Sequence, residues 1–107
     1  MSKQTPEGRV KEMVKARLKE AGAYQFWPVQ AGMGAATVDC LACVPVKITQ
    51  EMVGATVGLF VAIETKRADK PVAATPRQRA VLKEIGEASG TARVVCNEES
   101  LPYVLRR

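Results

Sequence analysis

A chain of 107 residues is near the commonest size for one domain and is long enough to bury a core without disulfide staples. Its 47% hydrophobic and 25% charged residues exclude the disordered and fibrous classes. The complete absence of histidine removes Ser-His-Asp and Cys-His hydrolysis, histidine-metal nucleases and Cys/His zinc fingers, so any catalysis rests on carboxylates and lysine. A formal net charge of +5, with a pI near 9.4, suits a polyanionic partner. The three cysteines, Cys40, Cys43 and Cys96, are an odd number with no leader pattern ahead of them. They read as buried thiols of a reducing cytoplasm, and no apolar run is long enough to span a membrane.

In chain order, Thr5 is an N-cap and Pro6 the first residue of a helix carrying Val10, Met13, Val14, Leu18 and Ala21 at helical spacing, stopped by Gly22. Its polar face presents Lys11, Lys15 and Lys19. The segment 23–30 (AYQFWPVQ) is β-prone, with Pro28 favouring an edge or bulge, and the glycine- and alanine-rich 31–36 reads as loop. A second strand is expected over 37–46, ending or kinking at Pro45. One short helical turn follows over 49–54, with a Thr cap and a Gly stop. The uninterrupted apolar run 58–63 (GLFVAI) reads as a central strand covered on both faces. After the loop 68–74, Thr75-Pro76-Arg77-Gln78 opens a second helix with Val81, Leu82 and Ile85 on one side and Gly86 or Gly90 at its end. A strand over 91–96 and a short, broken final helix limited by Pro102 complete a single α/β domain, residues 1–107, in which a central mixed sheet is flanked by helices.

The sharpest chemical feature is Glu64-Thr65-Lys66 at the end of the apolar strand. Residues two apart on a strand share a face, so Glu64 and Lys66 project together from the face of Phe60 and Ala62. A carboxylate where core gives way to cleft needs a compensating partner, and a divalent cation would supply one; the plain alternative is a strand that has simply reached solvent. Asp39 is an acid inside a segment otherwise read as buried strand, or else a turn residue after the glycine-rich loop. Paired with the strand ending at Glu64, it would bring two carboxylates and an ammonium together, a set suited to a hard cation and to phosphodiester hydrolysis. Glu7 shares the face of Val10 and Val14, or serves the helix dipole. Gln78 precedes Val81, Leu82 and Ile85 on one face, yet Thr75-x-x-Gln78 also fits a capping box. The Cys40-x-x-Cys43 spacing is poor for a shared zinc ion, because a strand sends residues three apart to opposite faces. Arg67, Lys70, Arg77 and Arg79 cluster around the loop that follows and suit phosphate contacts.

Taken in order, Asp39, Glu64-Thr65-Lys66 and a helix-borne Gln78 resemble the PD-(D/E)xK nuclease superfamily, and more closely its small virus-type replication-repair nuclease (VRR-NUC) domain in the stand-alone form of phages and prophages. The likeness runs from about Glu7 to the final strand. It implies a restriction-endonuclease-like core and Mg²⁺ or Mn²⁺ held by Asp39, Glu64 and the Thr65 carbonyl. Lys66 would be the catalytic lysine, Gln78 the glutamine of the following helix, and Glu7 the acid of the first helix and a further ligand. Val38 stands where the family usually has proline, and the stretch between Asp39 and Glu64 is lengthened. The fold resembles archaeal Holliday-junction resolvases, which implies a homodimer acting on branched DNA. The rival reading is a non-catalytic nucleic-acid-binding module with the same fold.

Overall fold

The computed structural model describes residues 5–29, 38–67, 69 and 73–106. The chain divides into two compact units, Met1–Pro45 and Val46–Arg107. Together they form an α/β protein of helices and small sheets of both senses. Among the described residues, no helix is long and apolar enough to cross a membrane.

The first unit opens with helix α1, Pro6–Glu20. Thr5 caps it as expected, its Oγ1 accepting from the Gly8 N–H at 2.9 Å, with Pro6 in the first position, where a missing N–H costs nothing. At the far end Gly22 takes φ +72°, the Ala23 N–H donates to Leu18 O and the Gly22 N–H to Lys19 O, a Schellman stop that only a residue tolerant of the left-handed region makes cheaply. The apolar stripe is covered less than its spacing predicts. Val14 and Leu18 are half-buried, whereas Val10 and Met13 are more than half exposed. Strand β1, Tyr24–Phe26, pairs antiparallel with β2, Leu41–Cys43, with Tyr24 opposite Cys43 and Phe26 opposite Leu41.

Both strands are shorter than expected. Pro28 has no N–H for a ladder, and β1 ends before it; Pro45 does the same beyond β2. Asp39 consequently lies in an exposed bend ahead of β2 and not within a buried strand, and β2 pairs with β1. The glycine-rich segment 31–36 lies outside the described residues. Of the three thiols only Cys43 is buried; Cys40 and Cys96 are half-buried, and none of the three forms a disulfide.

In the second unit a three-residue 3₁₀ turn, Gln50–Met52, occupies the predicted short helical stretch, without a side-chain bond from Thr49. Strand β3, Val61–Thr65, runs parallel to β4, Thr91–Val95, with Glu64 opposite Val94. Helix α2, Pro76–Glu87, makes the crossover that a parallel pair requires. Where one central sheet was expected, the described residues form two two-stranded sheets, one antiparallel and one parallel. The apolar run before Glu64 is accordingly not covered on both faces: Leu59 and Ile63 are exposed, while Ala62 is half-buried beside α2.

The core of this unit is Ala74, Ile85, Ala88 and Pro102. Helix α2 runs through Gly86 and stops at Ala88, where Ser89 takes φ 73° and the Gly90 N–H reaches Ile85 O. The tail is two 3₁₀ turns, Glu98–Ser100 and Tyr103–Leu105, on either side of the buried Pro102.

Candidate active site

Two backbone bonds, one just before β3 and one just after it, fix which of its residues face β4. The Thr91 N–H donates to Phe60 O and the Lys66 N–H to Val95 O, each at 2.9 Å. In a parallel pair, alternate residues of one strand turn both peptide groups to the partner, so Phe60, Ala62, Glu64 and Lys66 are joined to β4 and the Thr65 carbonyl is directed away from it. Glu64 and Lys66 therefore share one face at the carboxyl end of a parallel strand, the place where open α/β sheets present ligand-binding groups.

Helix α2 begins above that same end. Thr75 caps it with φ −65°, ψ 159°, and its Oγ1 accepts from the Gln78 N–H at 3.1 Å. The Gln78 side chain returns the bond: its Oε1 accepts from the Thr75 N–H at 2.9 Å. The same Oε1 accepts from Lys66 Nζ at 3.1 Å, and Gln78 Nε2 donates to Glu64 Oε1 at 2.7 Å. Gln78 thus caps α2 and, with the same amide, bonds both Lys66 and Glu64.

The amide thus lies between acid and base, oxygen toward the ammonium and nitrogen toward the carboxylate. Lys66 Nζ remains 3.9 Å from Glu64 Oε1, too far for a direct hydrogen bond but close enough for attraction. The side chains are 18% exposed for Lys66 and 33% for Glu64, so both charges are sheltered yet open to a ligand. Lysine carries three donors and Gln78 engages one of them.

Beside these groups α2 and β3 enclose a groove of about 350 Å³. Ala62, Val81, Leu82 and Ile85 form its apolar wall, and Glu64, Arg77 and Gln78 its polar end. The groove was not singled out from the sequence, and Thr75-x-x-Gln78 reads there as a capping box without its link to Glu64 and Lys66.

The remaining predicted residues are placed as follows. Asp39 and Glu7 belong to the first unit, Asp39 in its exposed bend and Glu7 exposed in the first turn of α1, 3.8 Å from Lys11 Nζ. Arg67 is exposed and clasps Asp69 with Nε–Oδ1 at 3.0 Å and Nη2–Oδ2 at 2.6 Å. Arg79 donates to Ala74 O at 2.8 Å, Arg77 is exposed at the groove, and Lys70 lies outside the described residues.

The oxygens available at the end of β3, the Glu64 carboxylate and the Thr65 carbonyl, are hard donors of the kind Mg²⁺ and Mn²⁺ take, and Mg²⁺ commonly binds through one or two carboxylates while keeping its waters. Among the described residues, no cluster of three or more His, Cys, Asp or Glu side chains forms a cage for a metal ion. No family model, no curated protein and no solved structure matches the chain.

Proposed function

We propose that this chain is a metal-dependent, structure-specific DNA endonuclease that hydrolyses phosphodiester bonds, with branched DNA such as a four-way junction as substrate and a homodimer as the working form. The observation that carries the reading is the Glu64–Gln78–Lys66 network at the carboxyl end of β3. It joins three of the residues that resemble the VRR-NUC pattern, Glu64, Lys66 and Gln78, on a basic chain without histidine. A restriction-endonuclease-like core and a phage or prophage origin belong to the same reading.

When bound, a divalent cation on Glu64 and the Thr65 carbonyl would neutralise phosphate charge and make water more acidic. The chain's own groups do the rest. Lys66 Nζ, with donors left over from Gln78, hydrogen-bonds a non-bridging phosphate oxygen and stabilises charge as it develops there. Gln78 keeps that ammonium and the Glu64 carboxylate at fixed separation, so little reorganisation accompanies the reaction. The exposed guanidinium of Arg77 suits a neighbouring phosphate. In the hydrolysis a water oxygen bonds to phosphorus, the ester P–O bond breaks, and the leaving alkoxide takes up a proton.

The test is incubation of a labelled four-way junction, a flap and a linear duplex with Mg²⁺, Mn²⁺ or EDTA, using wild type and Lys66→Ala. Cleavage of branched DNA that needs the metal, and that falls at least a hundredfold in Lys66→Ala, supports the reading. Metal-independent binding without cleavage by wild type replaces it with the non-catalytic module.

A further inference from the structure

We infer that Thr75, a residue with no direct contact to Glu64 or Lys66 among the described bonds, is a positioning residue that sets the orientation of the Gln78 amide and through it the spacing of the acid and the base. The inference rests on the nuclease reading for its functional consequence and on geometry for its mechanism.

An amide side chain has two nearly equivalent orientations, and its neighbours decide between them. Around Gln78 Oε1 lie two donors, the Thr75 N–H at 2.9 Å and Lys66 Nζ at 3.1 Å, while Nε2 faces the Glu64 carboxylate at 2.7 Å. Turned over, the amide would set its NH₂ against two donors and its oxygen against an anion. Of the three neighbours, Lys66 and Glu64 sit on long flexible side chains. The Thr75 N–H is backbone, and its place is fixed because Thr75 Oγ1 holds the Gln78 N–H at 3.1 Å in return. The rigid start of α2 thereby reaches the two charged groups.

The composition of the box points the same way. A capping box accepts glutamate or glutamine at its third helical position, and glutamate adds a favourable charge at a helix N-terminus. Only the amide, however, can accept from Lys66 and donate to ionised Glu64 with one planar group. Thr75 is then the anchor of the network as well as the cap of a helix.

Three substitutions grade the contact. Thr75→Ser keeps both hydroxyl and N–H, Thr75→Val removes the hydroxyl, and Thr75→Pro removes both while matching the native φ of −65°. Two readouts are taken: the side-chain NH₂ resonances of Gln78, compared with those of the exposed Gln50, and kcat and KM for metal-dependent cleavage of a four-way junction. In wild type and Thr75→Ser the Gln78 signals stand apart from those of Gln50 and exchange slowly. In Thr75→Val they shift toward them, and in Thr75→Pro they coincide with them, with kcat down about five- to tenfold and KM unchanged. Gln78 signals that stay in place in Thr75→Pro, or that move while kcat per folded molecule is unaltered, overturn the inference. Absence of cleavage by wild type overturns the nuclease reading instead, and the amide signals alone then decide whether Thr75 holds Gln78.

Discussion

Replacing Gln78 by glutamate separates the two tasks of that side chain. A carboxylate accepts from the Thr75 N–H as the amide oxygen does, so the capping box survives, and an acid in the first turn adds about 0.3–1 kcal/mol. The 2.7 Å bond to Glu64 does not survive, because two carboxylates now face each other. At an effective dielectric of about 20, like charges some 3–4 Å apart repel by roughly 4–6 kcal/mol before any compensation. Lys66 lies beside both, and Glu64 is one-third exposed to water, which leaves a net loss of about 1–2 kcal/mol at neutral pH. Gln78→Ala loses the cap bond and both charged bonds together, about 2–3 kcal/mol in this partly solvated setting. Urea unfolding of wild type and both variants at neutral pH measures the difference. Equal losses for the two variants, or no loss for Gln78→Glu, would refute the bridging geometry.

Other perturbations reach different parts of the chain. Ile85→Ala empties a core position that is 4% exposed and is expected to lower stability by about 2–4 kcal/mol, read as a fall in the urea midpoint at constant slope. Gly86→Ala adds a Cβ that meets nothing within 4 Å on an exposed helical turn, so the same assay should show a gain of about 0.5–1 kcal/mol. Arg67 is already clasped by Asp69, whereas Arg77 stands exposed at the groove. Arg77→Ala should therefore reduce the slope of log affinity for DNA against log salt by about one, and Arg67→Ala by less; equal slopes for the two variants would remove Arg77 from the phosphate contacts.

The helices were legible because their signals are local. Thr5-Pro6 and Thr75-Pro76 carry their own starts, and Gly22 carries the left-handed stop of α1. Strand β3 and its Glu64–Lys66 face were legible from period two and an apolar run. Strand pairing was not, because it is decided between distant segments. Within 37–46, Pro45 marks where β2 must end and a turn at Asp39 was one of two readings, but nothing there announces that the strand starts only at Leu41 or that it pairs with β1. The end of α2 was bracketed between Gly86 and Gly90: the helix runs through Gly86, and Ser89, just ahead of Gly90, takes the left-handed conformation. At the site, the residue types were visible and their mutual bonds were not. A capping box is read along the helix, and a neighbouring strand end is invisible to that reading.

The central claim is that the carboxylate and ammonium at the end of β3 act on a phosphodiester with a divalent cation. The most direct measurement is single-turnover cleavage of a four-way junction by wild type and Glu64→Gln over a Mg²⁺ titration, with unfolding curves for both proteins. Glu64→Gln keeps the size and the polar contacts of the side chain while removing its charge. The account predicts metal-dependent cleavage by wild type, a loss of at least a hundredfold in Glu64→Gln at every Mg²⁺ concentration, and closely similar unfolding curves. Cleavage by Glu64→Gln at the wild-type rate would contradict it.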